Sequence, residues 1–197
     1  MRKEKGAGMS RSAVSDDIRA RILPVTHFIT DVDGVLTDGR IIMDDEGREI
    51  KHFDVRDGHG LKLLMRGGIH VIFLTGRTSR VVLHRAADLG VSEIYQGARD
   101  KVSVLEEIMG RHRIGGDRIA CMGDDIVDVP LFRRVGFSAA VADASEYAKN
   151  SAHYVTGRAG GRGAVREVCE LILQVQEKWQ DVVARYELDP REGLSFT

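Results

Sequence analysis

The chain is poor in several features that mark special classes of protein. Its 197 residues hold two cysteines, three prolines and one tryptophan, and it has no run of about 18 apolar residues. Cys121 and Cys169 lie far apart without zinc-type spacing, which argues against a disulfide scaffold. We expect both to be reduced core thiols of a cytoplasmic protein. The charged N-terminus lacks an apolar signal region, so neither export nor a membrane partner is expected.

A strong charge of one sign is also missing. The formal net charge is -1 at pH 7, which gives no general attraction to nucleic acid or to acidic membranes. Any anion site must therefore be local. The 43% hydrophobic and 30% charged composition is typical of a globular protein. We expect one domain over residues 25–186, preceded by an arm and short helix in 1–24 and followed by a tail over 187–197.

Hydrophobic patterning predicts alternating strands and helices. The predicted strands are 27–30, 69–76, about 94–95, 118–125 and 137–143. The predicted helices are 15–23, 58–66, 79–88, 101–111, 129–133, 146–150 and 164–186. This alternation predicts an α/β fold, a Rossmann-like parallel sheet with helices on both faces and no separate cap domain. Two short runs around Asp44-Asp45-Glu46-Gly47 predict a β-hairpin over residues 40–53.

Two carboxylates follow the first predicted strand. The segment HFITDVDGVLTDG, residues 27–39, places Asp31 and Asp33 two residues apart and directly before Gly34. Their side chains share a face, at the strand end where open α/β sheets bind ligands. Like charges this close raise each other's pKa unless a cation or a shared proton relieves them. The pair therefore predicts a divalent metal or an acid and a base, with a solvated turn as the alternative.

Three further segments should bring polar side chains to the same edge. They are Thr75-Gly76-Arg77, Lys101 at a helix start, and Gly123-Asp124-Asp125 with Asp128 one turn later. A hydroxyl and a guanidinium suit a bound phosphate. Magnesium prefers hard oxygen ligands, so Asp31 and Asp124 fit as carboxylate ligands. Lys101 could neutralise the negative charge that gathers there.

In this order, DVDGVLT, LTGR, Lys101 and GDDxxD resemble the haloacid dehalogenase superfamily over residues 26 to about 156. The resemblance implies a magnesium-dependent phosphomonoester hydrolase. Asp31 would attack phosphorus and form an aspartyl-phosphate. Asp33 would give a proton to the leaving alkoxide and then take one from the hydrolysing water.

The same resemblance implies roles for the other residues. The carboxylates of Asp31 and Asp124 and the backbone carbonyl of Asp33 would hold Mg²⁺. Thr75 and Lys101 would hold the transferring oxygens. The remaining two carboxylates would orient the water shell of the metal and Lys101; they are Asp125 and Asp128.

Two features indicate which kind of superfamily member to expect: the short inserts between the motifs and the aspartate at position 33. The transport ATPases of this superfamily carry threonine at the position matching Asp33, so an acid there favours phosphate esters. Neither gap between the motifs can hold a cap domain. A capless monomer leaves its site open to water, so it must act on a macromolecule or borrow a lid from a neighbouring subunit.

Finer matches resemble the phosphatases of 3-deoxy-D-manno-octulosonate 8-phosphate. The segments are DVDGVLTDG, DVRDGHGLKLL, YQGARDK, GDDIVD and AGGRGAVREVC. This resemblance implies release of a sugar acid for bacterial lipopolysaccharide. It also implies a homotetramer in which the hairpins, residues 40–53, form a central barrel. The glycine-arginine segment near residue 162 would then reach a neighbour's site.

A sugar acid phosphate is anionic at both ends, so its pocket needs cations beyond the metal. The candidate substrate-binding residues are Asp33, Asp54, Val55, Arg56, Asp57, Gly58, Lys62, Gly76, Arg77, Arg85, Lys101 and Arg162. Asp57 and Gly58 could bind sugar hydroxyls through side chain and backbone. Arg162, set among glycines, could close over the substrate. A surface salt bridge is the alternative for each arginine.

Several alternatives stay open at this point. A phosphatase for a nine-carbon analogue is a close rival, because one extra carbon changes binding by only about 1–3 kcal/mol. A phosphatase of nucleic-acid ends or phosphoproteins would also suit an open site, and a non-catalytic scaffold could keep the fold. Six histidines are expected to be structural or solvated: His27, His52, His70, His84, His112 and His153.

Overall fold

The computed structural model of the protein describes residues 14–187. Predictions for residues 1–13 and 188–197 lie outside the described residues. The strands are β1 (His27–Thr30), β2 (Ile42–Met43), β3 (Glu49–Ile50), β4 (His70–Leu74), β5 (Glu93–Tyr95), β6 (Ile119–Gly123), β7 (Phe137–Ala140) and β8 (Tyr154–Val155). The α-helices are α1 (Asp16–Ile22), α2 (Val55–Arg66), α3 (Arg80–Leu89), α4 (Lys101–His112), α5 (Val129–Phe132), α6 (Glu146–Ser151), α7 (Ala164–Val175) and α8 (Trp179–Val183).

A six-stranded parallel sheet forms the centre of the molecule, in the order β5-β4-β1-β6-β7-β8. Its strands are apolar because helices cover both faces of the sheet. Phe28, Phe73 and Phe137 are fully buried. The predicted α/β class is confirmed. Strand β8 was not predicted, because two residues are too few to show a period.

The predicted hairpin is present but short. Strands β2 and β3 pair antiparallel through Ile42 with Ile50 and Met43 with Glu49. The Asp44 carboxylate accepts the backbone N–H groups of two turn residues, at 3.0 and 2.8 Å. Between β1 and β4 the described chain holds only this hairpin and α2, which agrees with the absence of a cap domain.

Helix α2 begins three residues earlier than predicted. Asp54 has extended backbone and accepts the N–H of Arg56 at 2.7 Å, so it is an N-cap. The sequence pattern placed the start at Gly58, because the apolar period begins only after the glycines. The capped first turn therefore includes Arg56, which lies outside the predicted bounds of the helix.

The prediction of one helix from Ala164 to Tyr186 is wrong. Helix α7 ends at Val175, and Glu177 adopts a left-handed conformation with φ 59°. The N–H of Lys178 donates to the Leu173 carbonyl at 2.8 Å, which closes a Schellman motif. This helix end could not be predicted from the residue pattern, because a glutamate occupies the position where glycine is usual.

The side chain of Gln176 joins that helix end to the end of α1 and to the loop that precedes β1. The amide of Gln176 donates to the carbonyls of Ile22 and Val25 at 3.0 and 2.7 Å. Ile22 is fully buried, so α1 packs on the core of the domain. Among residues 14–187, no helix is long and apolar enough to cross a membrane.

The crossing of α2 over α7 depends on a glycine. A Cβ atom built on Gly60 would lie 2.9 Å from the Cα of Arg166. That neighbour is backbone and cannot rotate away, so the two helices approach more closely than any side chain would permit.

We predict that Gly60→Ala destabilises the protein by about 1–3 kcal/mol, the usual cost of overpacking. The matched control is Gly110→Ala in α4, where an added Cβ would meet no atom within 4 Å. The control should stabilise by about 0.5–1 kcal/mol through helix propensity. Urea unfolding of both variants checks this, and equal effects would contradict the close crossing.

Candidate active site

The carboxyl ends of β1, β4 and β6 bring the predicted segments together. These three strands are neighbours in parallel register, with Thr30 beside Phe73 and Met122. The residues that follow therefore meet at one edge of the sheet. The backbone N–H of Asp31 extends this register by donating to the Met122 carbonyl at 3.0 Å.

Asp31 lies in an ion cluster at this edge. Its Oδ2 is 3.0 Å from the Nζ of Lys101, and its Oδ1 accepts the Val32 N–H at 2.7 Å. Burial raises the pKa of Asp31 to about 6, against the opposing charge of Lys101. Burial also opposes the charge of Lys101, but Asp31 and Asp128 together raise its pKa above the ordinary value.

Asp128 fixes both Lys101 and the β6 loop. Its side chain is fully buried, and its Oδ1 lies 2.6 Å from the Lys101 Nζ. Its Oδ2 accepts the backbone N–H groups of Asp124 and Asp125 at 3.0 and 3.3 Å. Both oxygens are thus engaged, and the lysine is held by two carboxylates.

Asp124 supplies the third carboxylate at this edge, and its surroundings suit a divalent cation. Oxygens of Asp31, Asp124 and Asp128 all lie within 4.8 Å of one another. Burial and the charges of the other two raise the pKa of Asp124 to about 7, a repulsion that a dication would relieve. Gly34 has φ 90°, and a Cβ there would collide with the Asp124 carboxylate. The donor set therefore fits magnesium.

Asp33 lies beside a buried lysine that the sequence analysis missed. The Nζ of Lys51 pairs with its Oδ1 and lies 3.1 Å from the Oε1 of Glu49. The Lys51 side chain is 1% exposed. Among the described residues, none hydrogen-bonds to the buried Asp33 Oδ2, and the Nε of Arg77 is 3.8 Å away. The only sequence signal for Lys51 was a charge within the hairpin segment.

The β4 loop is held in a fixed shape. Thr75 is 2% exposed, and its hydroxyl accepts the N–H of Arg77 at 3.3 Å. The Arg77 guanidinium donates to Glu49 at 3.0 Å. The ion pair of Arg77 with Glu49 thus joins this loop to the hairpin at the rim of the site. Gly76 lies in the loop between Thr75 and Arg77.

Two candidate substrate residues, Asp57 and Gly58, make hydrogen bonds within the fold. Asp57 is 1% exposed and accepts the N–H groups of Gly163 and Arg166 at 3.1 and 2.8 Å. Burial raises its pKa. Gly58 donates its N–H to the Asp54 carbonyl at 3.2 Å. Asp57 therefore caps the start of α7, and the Gly58 N–H is engaged within α2. Their binding of sugar hydroxyls stays a prediction.

Two other candidate cations lie apart from the carboxylates. Arg85 pairs with Asp88 at 2.7 Å and covers the ring of Phe53 at 5.5 Å. Lys62 is exposed on α2, and within residues 14–187 no hydrogen bond or ion pair joins it to the acidic edge. Arg85 makes the salt bridge that was its alternative, and the binding of substrate by either residue stays a prediction.

The glycine-arginine segment packs on the loop after β1. The N–H of Gly161 donates to the Val35 carbonyl at 2.8 Å, and Gly161 has φ 61°. Arg162 is 67% exposed, with its NH2 3.8 Å from the Asp38 carboxylate. A cavity of about 240 Å³ opens here, lined by Asp38, His52, Phe53, Asp54, Gly161 and Arg162.

Arg56 reaches the rim of the same cavity. Its NH2 lies 2.6 Å from the carboxylate of Asp54 and donates to the Arg162 carbonyl at 3.4 Å. Val55, beside it, is 78% exposed. Arg162 thus lines this polar cavity, and the Arg56 guanidinium contacts two of its lining residues, Asp54 and Arg162.

Comparisons with known proteins agree with this geometry. Residues 86–168 match the family model of haloacid dehalogenase-like hydrolases. The chain is 44% identical over 165 residues to 3-deoxy-D-manno-octulosonate 8-phosphate phosphatase of Yersinia pestis, covering 84% of this chain and 88% of that one.

Solved structures similar to this chain include phosphatases of this ester. The phosphatase of Moraxella catarrhalis, in complex with magnesium, phosphate and KDO, has a TM-score of 0.85 and 40% identity over 87% of this chain and 98% of that one. The cobalt-bound enzyme of Haemophilus influenzae has a TM-score of 0.80 and 40% identity over 86% and 99%. The chain therefore belongs to the haloacid dehalogenase-like hydrolases, in the family of the 3-deoxy-D-manno-octulosonate 8-phosphate phosphatases.

Proposed function

We propose that this protein hydrolyses 3-deoxy-D-manno-octulosonate 8-phosphate to the sugar acid and phosphate, in the cytoplasm, as a step toward lipopolysaccharide. The observation that carries the proposal is the Asp31 carboxylate, 3.0 Å from Lys101 and beside two further carboxylates, in a chain so similar to known phosphatases of this ester.

Asp31 is the proposed nucleophile. Its Oδ1 is held by the Val32 N–H and its Oδ2 by Lys101, so the carboxylate has one fixed orientation. Attack on phosphorus forms the aspartyl-phosphate and breaks the bond to the sugar oxygen. Lys101 and the Thr75 hydroxyl stabilise the charge on the transferring oxygens.

Asp33 is the proposed proton carrier. It donates a proton to the departing sugar alkoxide and afterwards accepts one from the water that attacks the aspartyl-phosphate. That second attack releases phosphate and restores the Asp31 carboxylate. The Lys51 ammonium balances the charge of Asp33, and Arg77 lies at its other oxygen.

Asp31, Asp124 and the backbone carbonyl of Asp33 would hold the magnesium ion. When bound, this ion supplies positive charge that lets the carboxylate nucleophile and the anionic phosphate approach. Asp125 would orient its water shell, while Asp128 holds the loop and Lys101 in place.

The cavity beside Asp38 is the proposed site of the sugar acid. Arg162 and Arg56 lie at its rim, and their guanidinium groups suit the carboxylate of the substrate. Val55 offers an apolar surface to the carbon chain. Arg162 is mostly exposed, so its side chain is free to turn toward a bound anion.

A homotetramer is the proposed assembly. Apolar side chains on and next to the hairpin are unusually exposed, namely Ile41 at 57%, Met43 at 57% and Ile50 at 48%. Exposed apolar patches of this kind mark interaction sites. Hairpins that pack together would cover them and give each site, which has no cap of its own, a lid from a neighbour.

We predict that Asp31→Asn lowers phosphate release from the octulosonate ester, measured with magnesium, by about a thousandfold or more, as loss of a nucleophile does. The exposed Asp181→Asn on α8 is the matched control and should keep full activity. Retained activity in the Asp31 variant would remove Asp31 from this role. Equal turnover of the nine-carbon ester by the native chain would contradict the substrate assignment alone.

We also predict that Lys51→Met lowers kcat more than it changes KM. Without the ammonium, Asp33 loses the partner that holds its carboxylate in place for proton transfer. Lys51→Arg keeps the charge and should restore most of kcat. An unchanged kcat in Lys51→Met, or a loss that Lys51→Arg does not recover, would contradict this role.

A third prediction concerns assembly. Ile41→Asp with Met43→Asp should shift the molar mass from tetramer toward smaller species, because like charges would face one another in the packed hairpins. Light scattering measures this. Tyr147→Asp, at a similarly exposed aromatic on α6, is the control. A native chain that is monomeric, or a variant that stays tetrameric, would contradict the hairpin interface.

A further inference from the structure

A second cluster of ionisable side chains lies at the amino edge of the sheet. His27, His70 and Glu93 begin β1, β4 and β5, and His112 ends α4. Four residues of extended strand separate His27 from Asp31, which corresponds to about 13 Å. The cluster thus lies at the amino ends of the strands, and the proposed active site lies at their carboxyl ends.

One carboxylate oxygen joins two imidazoles in this cluster. The Nε2 atoms of His70 and His112 lie 2.6 and 2.9 Å from the same Oε2 of Glu93. One ligand atom from each of the three side chains lies within 4.8 Å of the other two. The two ring centroids are 5.0 Å apart. Three ligand atoms therefore converge on one point from three separate elements.

This donor set is typical of zinc-type ions. Imidazole nitrogen suits zinc, cobalt, nickel and copper, whereas magnesium prefers oxygen. Ligand atoms about 2.0–2.1 Å from a tetrahedral zinc stand about 3.3 Å from one another. The present N···O distances, 2.6 and 2.9 Å, are shorter than this by about 0.7 and 0.4 Å, which side-chain rotations can supply.

Neighbouring groups already hold the proposed ligands in place. The Tyr95 hydroxyl donates to the other oxygen of Glu93 at 2.9 Å, the kind of outer contact that orients a metal-binding carboxylate. The side chain of Glu93 is 12% exposed, and those of His70 and His112 are 38% and 22% exposed. An ion can thus reach the cluster from solvent. The nearest cation is Arg111, with its NH1 3.8 Å from Glu93 Oε1.

A third imidazole stands next to the pair. The ring of His27 lies 4.6 Å from that of His112 and 5.3 Å from that of His70, between centroids. Its Nδ1 bonds to the Thr26 hydroxyl at 2.9 Å. Burial, with the charges of His112 and His70, lowers the pKa of His27 to about 4, so this ring is neutral at pH 7.

We propose that His70, His112 and Glu93 form a binding site for one divalent transition-metal ion of the zinc type, with His27 or water as the fourth ligand. The site is distinct from the carboxylate site at the other edge, because its nitrogen donors select a different class of metal. A bound ion would join β4, β5 and α4, so it should stabilise the folded chain.

The test is titration of the full chain with Zn²⁺ in a large excess of Mg²⁺, followed by calorimetry. One zinc equivalent should bind to the native chain and raise its Tm. His70→Gln and His112→Gln should each raise the apparent Kd at least tenfold, without loss of magnesium-dependent phosphatase activity. His84→Gln, at an exposed histidine on α3, is the matched control and should leave the Kd unchanged.

Two further arms separate this site from the carboxylate site. The Asp31→Asn variant should still bind one equivalent of Zn²⁺. The proposal would be overturned if this variant lost zinc binding while the two histidine variants kept it. The native chain loaded with Cu²⁺ should show nitrogen coupling in its electron paramagnetic resonance spectrum, and this measurement needs no variant to fold. A spectrum of oxygen ligands alone, or no zinc binding by the native chain, would also overturn it.

Discussion

The buried contact of Lys101 with Asp31 and Asp128 is the interaction on which the acidic edge depends. Three carboxylates gathered at the end of a parallel sheet repel one another, and burial strengthens that repulsion. A single ammonium held between two of them offsets part of it. Asp128 also accepts the backbone N–H groups of the β6 loop, so the same contact shapes the backbone that carries Asp124. What repulsion remains is relieved by a dication, which explains why the edge fits a metal so well.

Much of this edge could be predicted from the sequence, because the ends of adjacent parallel strands must meet. Asp31, Thr75 and Asp124 each follow an apolar run, and their convergence needs only the strand order. Lys51 could not be found in that way, because its burial depends on how the hairpin packs on Asp33. The capping role of Asp57 also escaped prediction, since its partners lie more than a hundred residues away.

The errors in secondary structure have equally local causes. Helix α2 starts at a cap that precedes its apolar period, and α7 ends where a glutamate adopts a conformation usually left to glycine. The histidine cluster escaped notice for the opposite reason. Its members are scattered along the sequence, and only the register of β1 against β4 and the return of α4 bring them together.

The contact between Gly161 and Val35 has a consequence for the synthesis of the protein. The loop after β1 is made early, yet its Val35 carbonyl accepts a hydrogen bond from the Gly161 N–H, more than a hundred residues downstream. The Asp57 carboxylate likewise accepts hydrogen bonds from N–H groups at the start of α7, which are made much later than Asp57 itself. A nascent chain can therefore assemble most of the sheet before either contact exists. Until residues 161–166 have been made, Asp31 and Asp33 lie on a loop that lacks the glycine segment packed against it.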